Sequence, residues 1–99
     1  MINFTVMKFF NFNISKKYLQ IEVNFDSQLV EQLFHPALAH LEVTDKEHFI
    51  DTRFDIYLEN NDLCLFKDKE LIRAAYKKDY HLIQGKFLSG LFGLLKRQS

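Results

Sequence analysis

The sequence is poor in several residue types on which protein functions often depend. Its 99 residues include one cysteine, one proline, three glycines and no tryptophan, and its 13 acidic and 13 basic side chains leave no net charge. One cysteine cannot close an internal disulfide, which is typical of a protein from a reducing compartment. No stretch holds about 18 consecutive apolar residues, so no transmembrane helix is expected.

The first residues also lack the features of a secretory signal. In MINFTVMKFFNFNISKK, Lys16 and Lys17 follow the apolar part instead of preceding it, asparagines interrupt that part, and there is no small-residue cleavage site. We therefore expect a cytoplasmic protein.

No motif of catalytic, cofactor or metal chemistry is present. His35 and His40 lie five residues apart, not at the four-residue spacing with which one helix offers two ligands to a metal. The glycines do not form the phosphate-binding pattern GxxxxGKS or GxxxxGKT. Cys64 alternates with leucines, which favours packing over nucleophilic chemistry. The sequence predicts no enzyme, no cofactor and no metal, although a small enzyme with a dispersed site stays open.

What is present is the composition of one globular domain spanning residues 1–99. Hydrophobic residues make up 47% of the chain, and eleven of them are phenylalanines. Each phenylalanine ring buries a large area, so a short chain can fill a modest core with few of them.

Alternation of apolar and polar residues predicts a hairpin at the N-terminus. One face of the stretch from residue 2 to residue 14 is apolar and broken only by Lys8; it holds Ile2, Phe4, Val6, Phe10, Phe12 and Ile14. Residues 19–25 alternate in the same way, and residues 15–17 supply the turn between the two strands.

An amphipathic helix is expected next. Asp26 or Ser27 can cap it, and apolar residues recur at helical spacing from residue 29 to residue 41. Pro36 falls inside this stripe, so it should kink the helix near His35 or end one short helix and begin another.

The second half is predicted to contain two more strands. A polar connection covers residues 42–47, and alternation then predicts a strand over residues 50–59. Residues 60–62 form a turn, and residues 63–66 return as a short strand.

Two helices are expected to complete the chain. Asp68 can cap a helix from about residue 69 to residue 78, and a last helix begins near His81 or Leu82. The order ββαββαα predicts an α+β fold, with a small antiparallel sheet covered by helices on one face.

The charges are distributed unevenly along the chain. Residues 22–62 hold ten acids and two bases, whereas residues 1–21 hold three bases and no acid, and residues 63–99 hold eight bases and three acids. The acidic segment is long enough to form a docking surface for a basic partner, which it would attract and orient. The alternative is that these charges only solvate outward-facing strands and loops.

The third predicted strand carries the centre of this candidate surface. Asp51, Asp55 and Glu59 are spaced to project from one face, and Tyr57 falls on the same face. With the acids just upstream, the predicted partner-binding residues are Glu42, Asp45, Glu47, Asp51, Asp55, Tyr57 and Glu59.

Two other interaction modes stay open. The basic C-terminal part could touch phosphates, but lysine-rich helix surfaces are common and a neutral chain is a poor general nucleic-acid binder. The tail GKFLSGLFGLLKRQS could lie on a membrane or form a homodimer through its helix. We favour a third role for the tail, as the cover of the apolar sheet.

The short, single-domain chain with the acidic segment EVTDKEHFIDTRFDIYLENND resembles bacterial immunity proteins. Those proteins neutralise secreted nuclease toxins and are often acidic where they meet the toxin. The resemblance implies a non-catalytic inhibitor with a basic, nuclease-like protein partner.

Overall fold

The chain forms a six-stranded sheet and two α-helices in a computed structural model that describes residues 3–14, 17–44 and 50–98. The elements, in chain order, are β1 (Val6–Ile14), β2 (Lys17–Phe25), α1 (Gln28–Leu38), β3 (Glu42–Val43), β4 (Thr52–Glu59), β5 (Asp62–Lys67), β6 (Glu70–Tyr76) and α2 (Tyr80–Gln98). Single 3₁₀ turns follow α1 and precede α2. The α+β prediction is confirmed at this level.

The sheet is mixed, so the prediction of an antiparallel sheet is only partly right. Its strand order is β3-β1-β2-β4-β5-β6. Strands β2 and β4 are parallel, and all the other neighbours are antiparallel. The parallel pair arises because α1 lies between β2 and β4 along the chain, and a crossover of this kind brings the second strand back in the direction of the first.

The N-terminal hairpin forms as the alternation predicts. Strands β1 and β2 pair along their whole length, with Phe10 opposite Ile21. Both side chains are buried, so this pair fixes the face of the sheet that the helices cover.

Helix α1 starts at the predicted cap but does not end at the proline. Ser27 is extended at φ −158° and its Oγ accepts a hydrogen bond from the Val30 N–H at 3.3 Å. The helix continues past Pro36 to Leu38, so of the two outcomes predicted for Pro36, a kink near His35 or two short helices, the second does not occur. The expected polar connection also contains β3, which pairs with β1 through Val43 opposite Phe9.

The predicted helix over residues 69–78 is wrong, since this segment is strand β6. Asp68 and Lys69 have φ values of 49° and 72°, the left-handed backbone of a two-residue hairpin turn. That turn folds β6 back onto β5, where its backbone groups gain a partner strand. Asn60 and Asn61 form the matching turn between β4 and β5, at 50° and 70°.

One continuous core lies between the sheet and the two helices. Helix α2 contributes Ile83, Phe87 and Leu91, which recur every four residues and are buried. The Phe87 ring meets Phe54 edge-on at 4.9 Å and Phe34 at 5.8 Å, centroid to centroid. Among the described residues, the buried side chains of this core are Phe10, Leu19, Ile21, Val23, Phe25, Val30, Phe34, Phe54, Ile56, Leu63, Leu65, Ile83, Phe87 and Leu91.

Helix α2 is therefore a cover for the sheet along its described side chains. Gly90 lies against the Phe54 ring, where an added Cβ would stand 3.5 Å away. Gln84 donates from Nε2 to the Leu33 carbonyl, which joins α2 to α1. Within the described ranges no helix has both the length and the apolar character needed to cross a bilayer.

Candidate protein-binding surface

The face of the sheet opposite the helices carries polar side chains at its centre and aromatic side chains around them. We call it the helix-free face, since no helix of the described residues packs on it. The strand registers assign to it Met7, Phe9, Asn11, Gln20, Glu22, Asn24, Arg53, Asp55, Tyr57, Glu59, Asp62, Cys64, Phe66, Leu71, Ala74 and Tyr76.

The centre of the helix-free face is a row of polar side chains on β2 that neighbouring strands bury. Gln20, Glu22 and Asn24 are between 0% and 6% exposed. The Asn24 amide donates to Glu22 Oε2 and to Asp55 Oδ1, each at 2.9 Å. Buried polar groups destabilise a fold unless they are hydrogen-bonded, so this row needs the partners that β1 and β4 supply.

An ion pair joins β2 to β4 next to this row. The Arg53 guanidinium donates from Nε to Glu22 Oε2, and the two residues are register partners on the parallel strands. Hydrogen bonding and charge attraction from Glu22 raise the pKa of Arg53 above its ordinary value. The two charges therefore compensate one another within the fold.

Three aromatic side chains lie beside the polar row. Tyr57 stacks on Phe66 with centroids 5.6 Å apart, and Phe4 meets the Tyr57 ring edge-on at 6.2 Å. With Asp55 and Lys69 these three rings line a shallow depression of about 240 Å³. We call it the aromatic depression.

Cys64 lies on the same face, directly opposite Tyr57 on the neighbouring strand. Burial raises the pKa of the Cys64 thiol, and the nearby charges of Glu59 and Asp62 act in the same direction. Burial also raises the pKa of the Tyr57 hydroxyl. A thiol that holds its proton is a poor nucleophile, so this cysteine suits a packing role.

Three of the predicted site residues lie together. Asp55, Tyr57 and Glu59 all project from β4 onto the helix-free face. Asp55 is half-buried and Glu59 is exposed near the turn between β4 and β5. Asp62 is opposite Glu59 in the register, so two carboxylates stand at this end of the hairpin.

Asp51 directly precedes β4 and has a structural role. Its Oδ2 accepts the backbone N–H of Gln20 at 2.8 Å, and its own N–H donates to the Gln20 carbonyl at 2.9 Å. Asp26 and Asp68 make similar bonds, to the backbone N–H groups of Leu58 and Arg53. Part of the acidic excess therefore serves to complete the hydrogen bonding of strands β2 and β4.

Glu42 does not join the other predicted residues. It is the register partner of Phe10, so it lies on the helix-covered side of the sheet, on the outermost strand β3. Its Oε1 is 3.0 Å from Lys8 Nζ, and Glu31 is 3.9 Å from the same ammonium group. The predicted site residues Asp45 and Glu47 lie outside the described residues.

Sequence reasoning missed the aromatic partners of this surface. Phe66 was predicted only as part of a short strand, although a two-residue turn at Asn60 and Asn61 places it opposite Asp55. Phe4 precedes β1 and reaches Tyr57 across the sheet, and no local pattern signals that contact.

The described residues hold no group of three or more histidine, cysteine or acidic side chains that could bind a metal ion. Comparison of the chain with protein-family models, curated proteins and solved structures finds no match.

Proposed function

We propose that this chain is a small non-catalytic protein-binding protein, of the bacterial immunity or inhibitor type, that occludes a basic partner with its helix-free face. The observation that supports this proposal is the combination of acidic and aromatic side chains on one uncovered part of the sheet. Tyr57, Phe66 and Phe4 lie beside Asp55 and next to the Glu59 end of the hairpin.

Aromatic rings beside carboxylates suit the binding of lysine and arginine side chains. A cation is attracted to the face of an aromatic ring, and a carboxylate adds a charge-assisted hydrogen bond. Arginine in particular stacks on rings and pairs with carboxylates through a planar group. The aromatic depression is open enough to admit one such side chain, although Lys69 at its rim limits how many cations can gather there.

The charges of the surface would mainly raise the rate at which the two proteins associate. Glu59 and Asp62 at the end of the β4–β5 hairpin would attract a basic protein and orient it, which raises the association rate more than it lengthens the life of the complex. An inhibitor of a nuclease benefits from this arrangement, because a nuclease has a basic surface to which its own substrate binds.

Capture from cells tests this proposal. The immobilised chain should retain a basic protein from an extract of its source cells, and salt should release it. The double variant Asp55→Asn/Glu59→Lys should retain much less, because it removes two negative charges and adds one positive charge, while the asparagine can still accept the Asn24 hydrogen bond.

A control for that capture is Glu70→Lys, which reverses an exposed charge at the start of β6 as Glu59→Lys does on β4. Equal capture by the wild type and the double variant would reject the helix-free face as the binding surface. The other functions stay predictions: sedimentation of the full chain over a range of concentrations tests a dimer through the C-terminal helix, and a turnover screen tests a dispersed enzyme site.

A further inference from the structure

The carboxylate that borders the aromatic depression uses only one of its oxygens within the fold. Asp55 Oδ1 accepts a hydrogen bond from the Asn24 amide at 2.9 Å, whereas Asp55 Oδ2 meets no donor among the residues that the structure describes. Lys69 lines the same depression without forming an ion pair with Asp55. Asp55 is therefore held in position through one oxygen and can accept hydrogen bonds from a ligand with the other.

Hydrogen-bond accounting for Asn24 and Asp55 points to a ligand that donates. Both N–H groups of the Asn24 amide are already used, one by Glu22 Oε2 and one by Asp55 Oδ1. Asn24 Oδ1 is buried, and within the described part of the chain no donor reaches it. The pair thus has acceptors to spare and no donor, and the spare oxygen of Asp55 belongs to a residue that lines the depression. Its negative charge favours a ligand that is a cation.

The aromatic walls of the depression suit a flat cation. The rings of Tyr57 and Phe66 are 20° from parallel with centroids 5.6 Å apart, and Phe4 meets Tyr57 edge-on. Because Tyr57 and Phe66 stack on each other, another planar group can lie against the outside of this pair but not between the two rings. A cation in that position is attracted by the electrons of the ring.

The size of the depression favours one side chain over a larger ligand. Its volume is about 240 Å³, which is below the roughly 300–1,000 Å³ of pockets for small molecules. An anion of similar size is disfavoured, because the Asp55 carboxylate would repel it.

We propose that the aromatic depression holds an arginine side chain of the basic partner, with its guanidinium group bonded to Asp55 Oδ2 and lying against the Tyr57–Phe66 pair. This inference rests on the proposed function, since it names the side chain that anchors the partner. Arginine fits better than lysine because its planar group can stack on a ring while its N–H groups bond a carboxylate, and because it is more weakly hydrated. Arginine is also one of the residues that most often dominate the energy of an interface.

Lys69 weakens this binding without blocking it. Its positive charge repels a second cation, but Lys69 is exposed at the turn between β5 and β6. A long side chain in that position can keep its ammonium group in water. Removing the charge should therefore tighten the binding of arginine.

Titration of the full chain with two capped amino acids, followed by nuclear magnetic resonance, tests the inference. N-acetyl-arginine amide should shift the ring resonances of Tyr57 and Phe66 and bind with a millimolar dissociation constant. N-acetyl-lysine amide carries the same charge and should bind on the order of five times more weakly. In the capture experiment the arginine compound should release the retained protein, and the lysine compound at the same concentration should not.

Variants locate the binding in the depression. Asp55→Asn should weaken the arginine compound on the order of tenfold, because the asparagine keeps the Asn24 bond but lacks the charge. Glu59→Gln is the matched control, since it removes one carboxylate charge from the same strand outside the depression. Phe66→Leu should also weaken binding, whereas Phe9→Leu, on β1, should not. Lys69→Gln should strengthen it.

Circular dichroism spectra must show that all variants fold. Equal affinity for the two compounds overturns the inference, and so does a titration that leaves the Tyr57 and Phe66 resonances in place. An Asp55→Asn variant that binds the arginine compound as the wild type does also overturns it. These results leave the proposed function to the capture of a basic protein. Binding of the arginine compound in the depression by a chain that captures no basic protein would support the arginine-binding site and reject the proposed function.

Discussion

Asn24 and Asp55 are register partners on the parallel strands β2 and β4, and the Asn24 amide donates to Asp55 Oδ1 at 2.9 Å. The same amide also donates to Glu22 Oε2. Asp55 is thus held in place by a buried residue while it borders the aromatic depression. A carboxylate fixed in this way loses little freedom on binding, which favours affinity.

The hydrogen bonds of Asp51 lead to a prediction about stability. Asp51→Ala should lower the free energy of unfolding by about 1 kcal/mol, because the Gln20 N–H loses its acceptor. Asp51→Asn should cost less, since an amide oxygen can accept the same bond. Urea denaturation measures both values. If the alanine variant is as stable as the wild type, Asp51 does not support the β2–β4 ladder.

The turn between β5 and β6 predicts a stabilising substitution. Lys69 has a φ of 72°, and a residue with a Cβ in the left-handed region costs roughly 1 kcal/mol relative to glycine. Lys69→Gly should therefore raise the free energy of unfolding by up to about 1 kcal/mol. Lys69→Ala is the control for loss of the lysine side chain and should bring no such gain. A glycine variant less stable than the alanine variant would contradict the turn assignment.

The packing of α2 predicts a large loss on truncation of one ring. Phe87 contacts both Phe54 and Phe34 in the core, so Phe87→Ala should lower the free energy of unfolding by roughly 3–5 kcal/mol. Leu29→Ala, at an exposed position on α1, should change it by less than about 1 kcal/mol. Similar small effects at both positions in thermal or urea unfolding would mean that α2 does not cover the sheet.

The buried thiol predicts a dependence of stability on alkaline pH. The pKa of Cys64 is raised above its ordinary value of 9.0 when the chain folds, chiefly by burial. The fold therefore favours the protonated thiol. The stability that this preference contributes is fully present below pH 9.0 and is lost as the pH rises through the folded-state pKa. Urea denaturation across this range should show a steeper loss of stability for the wild type than for Cys64→Ala.

Thiol labelling checks the same burial independently. The native protein should react slowly with a thiol reagent at neutral pH, and denaturant should accelerate the reaction, because the thiol is both covered and protonated. Rapid labelling of the native protein, or equal alkaline slopes for the two proteins, would argue against a buried Cys64. Burial also raises the pKa of Tyr57, and Cys64 adds to that rise, so the difference between the two proteins reports the thiol together with its effect on Tyr57.

Local patterns in the sequence predicted the parts of the fold that depend on neighbouring residues. Alternation located β1, β2 and β4, and the cap rule placed the start of α1 after Asp26 or Ser27, of which Ser27 is the cap. Strand β6 was missed because Leu71, Ile72 and Ala75 also fit helical spacing, and only pairing with β5 decides between the two. Strand β3 has two residues, too few to show any period.

The candidate site was predictable only in part for the same reason. Asp55, Tyr57 and Glu59 share one strand, so their spacing alone places them on one face. The position of Glu42 depends on the pairing of β3 with β1, which is not a local property of the sequence. The structural roles of Asp26 and Asp51 depend likewise on the parallel pairing of β2 with β4, which places backbone N–H groups within their reach.

The central claim is that the helix-free face binds a basic protein partner, and the association rate constant with the captured partner tests it most directly. At low ionic strength the double variant Asp55→Asn/Glu59→Lys should associate on the order of ten times more slowly than the wild type, with a weaker salt dependence. Glu70→Lys should have a much smaller effect. A rate constant and salt dependence for the double variant equal to those of the wild type would contradict the account.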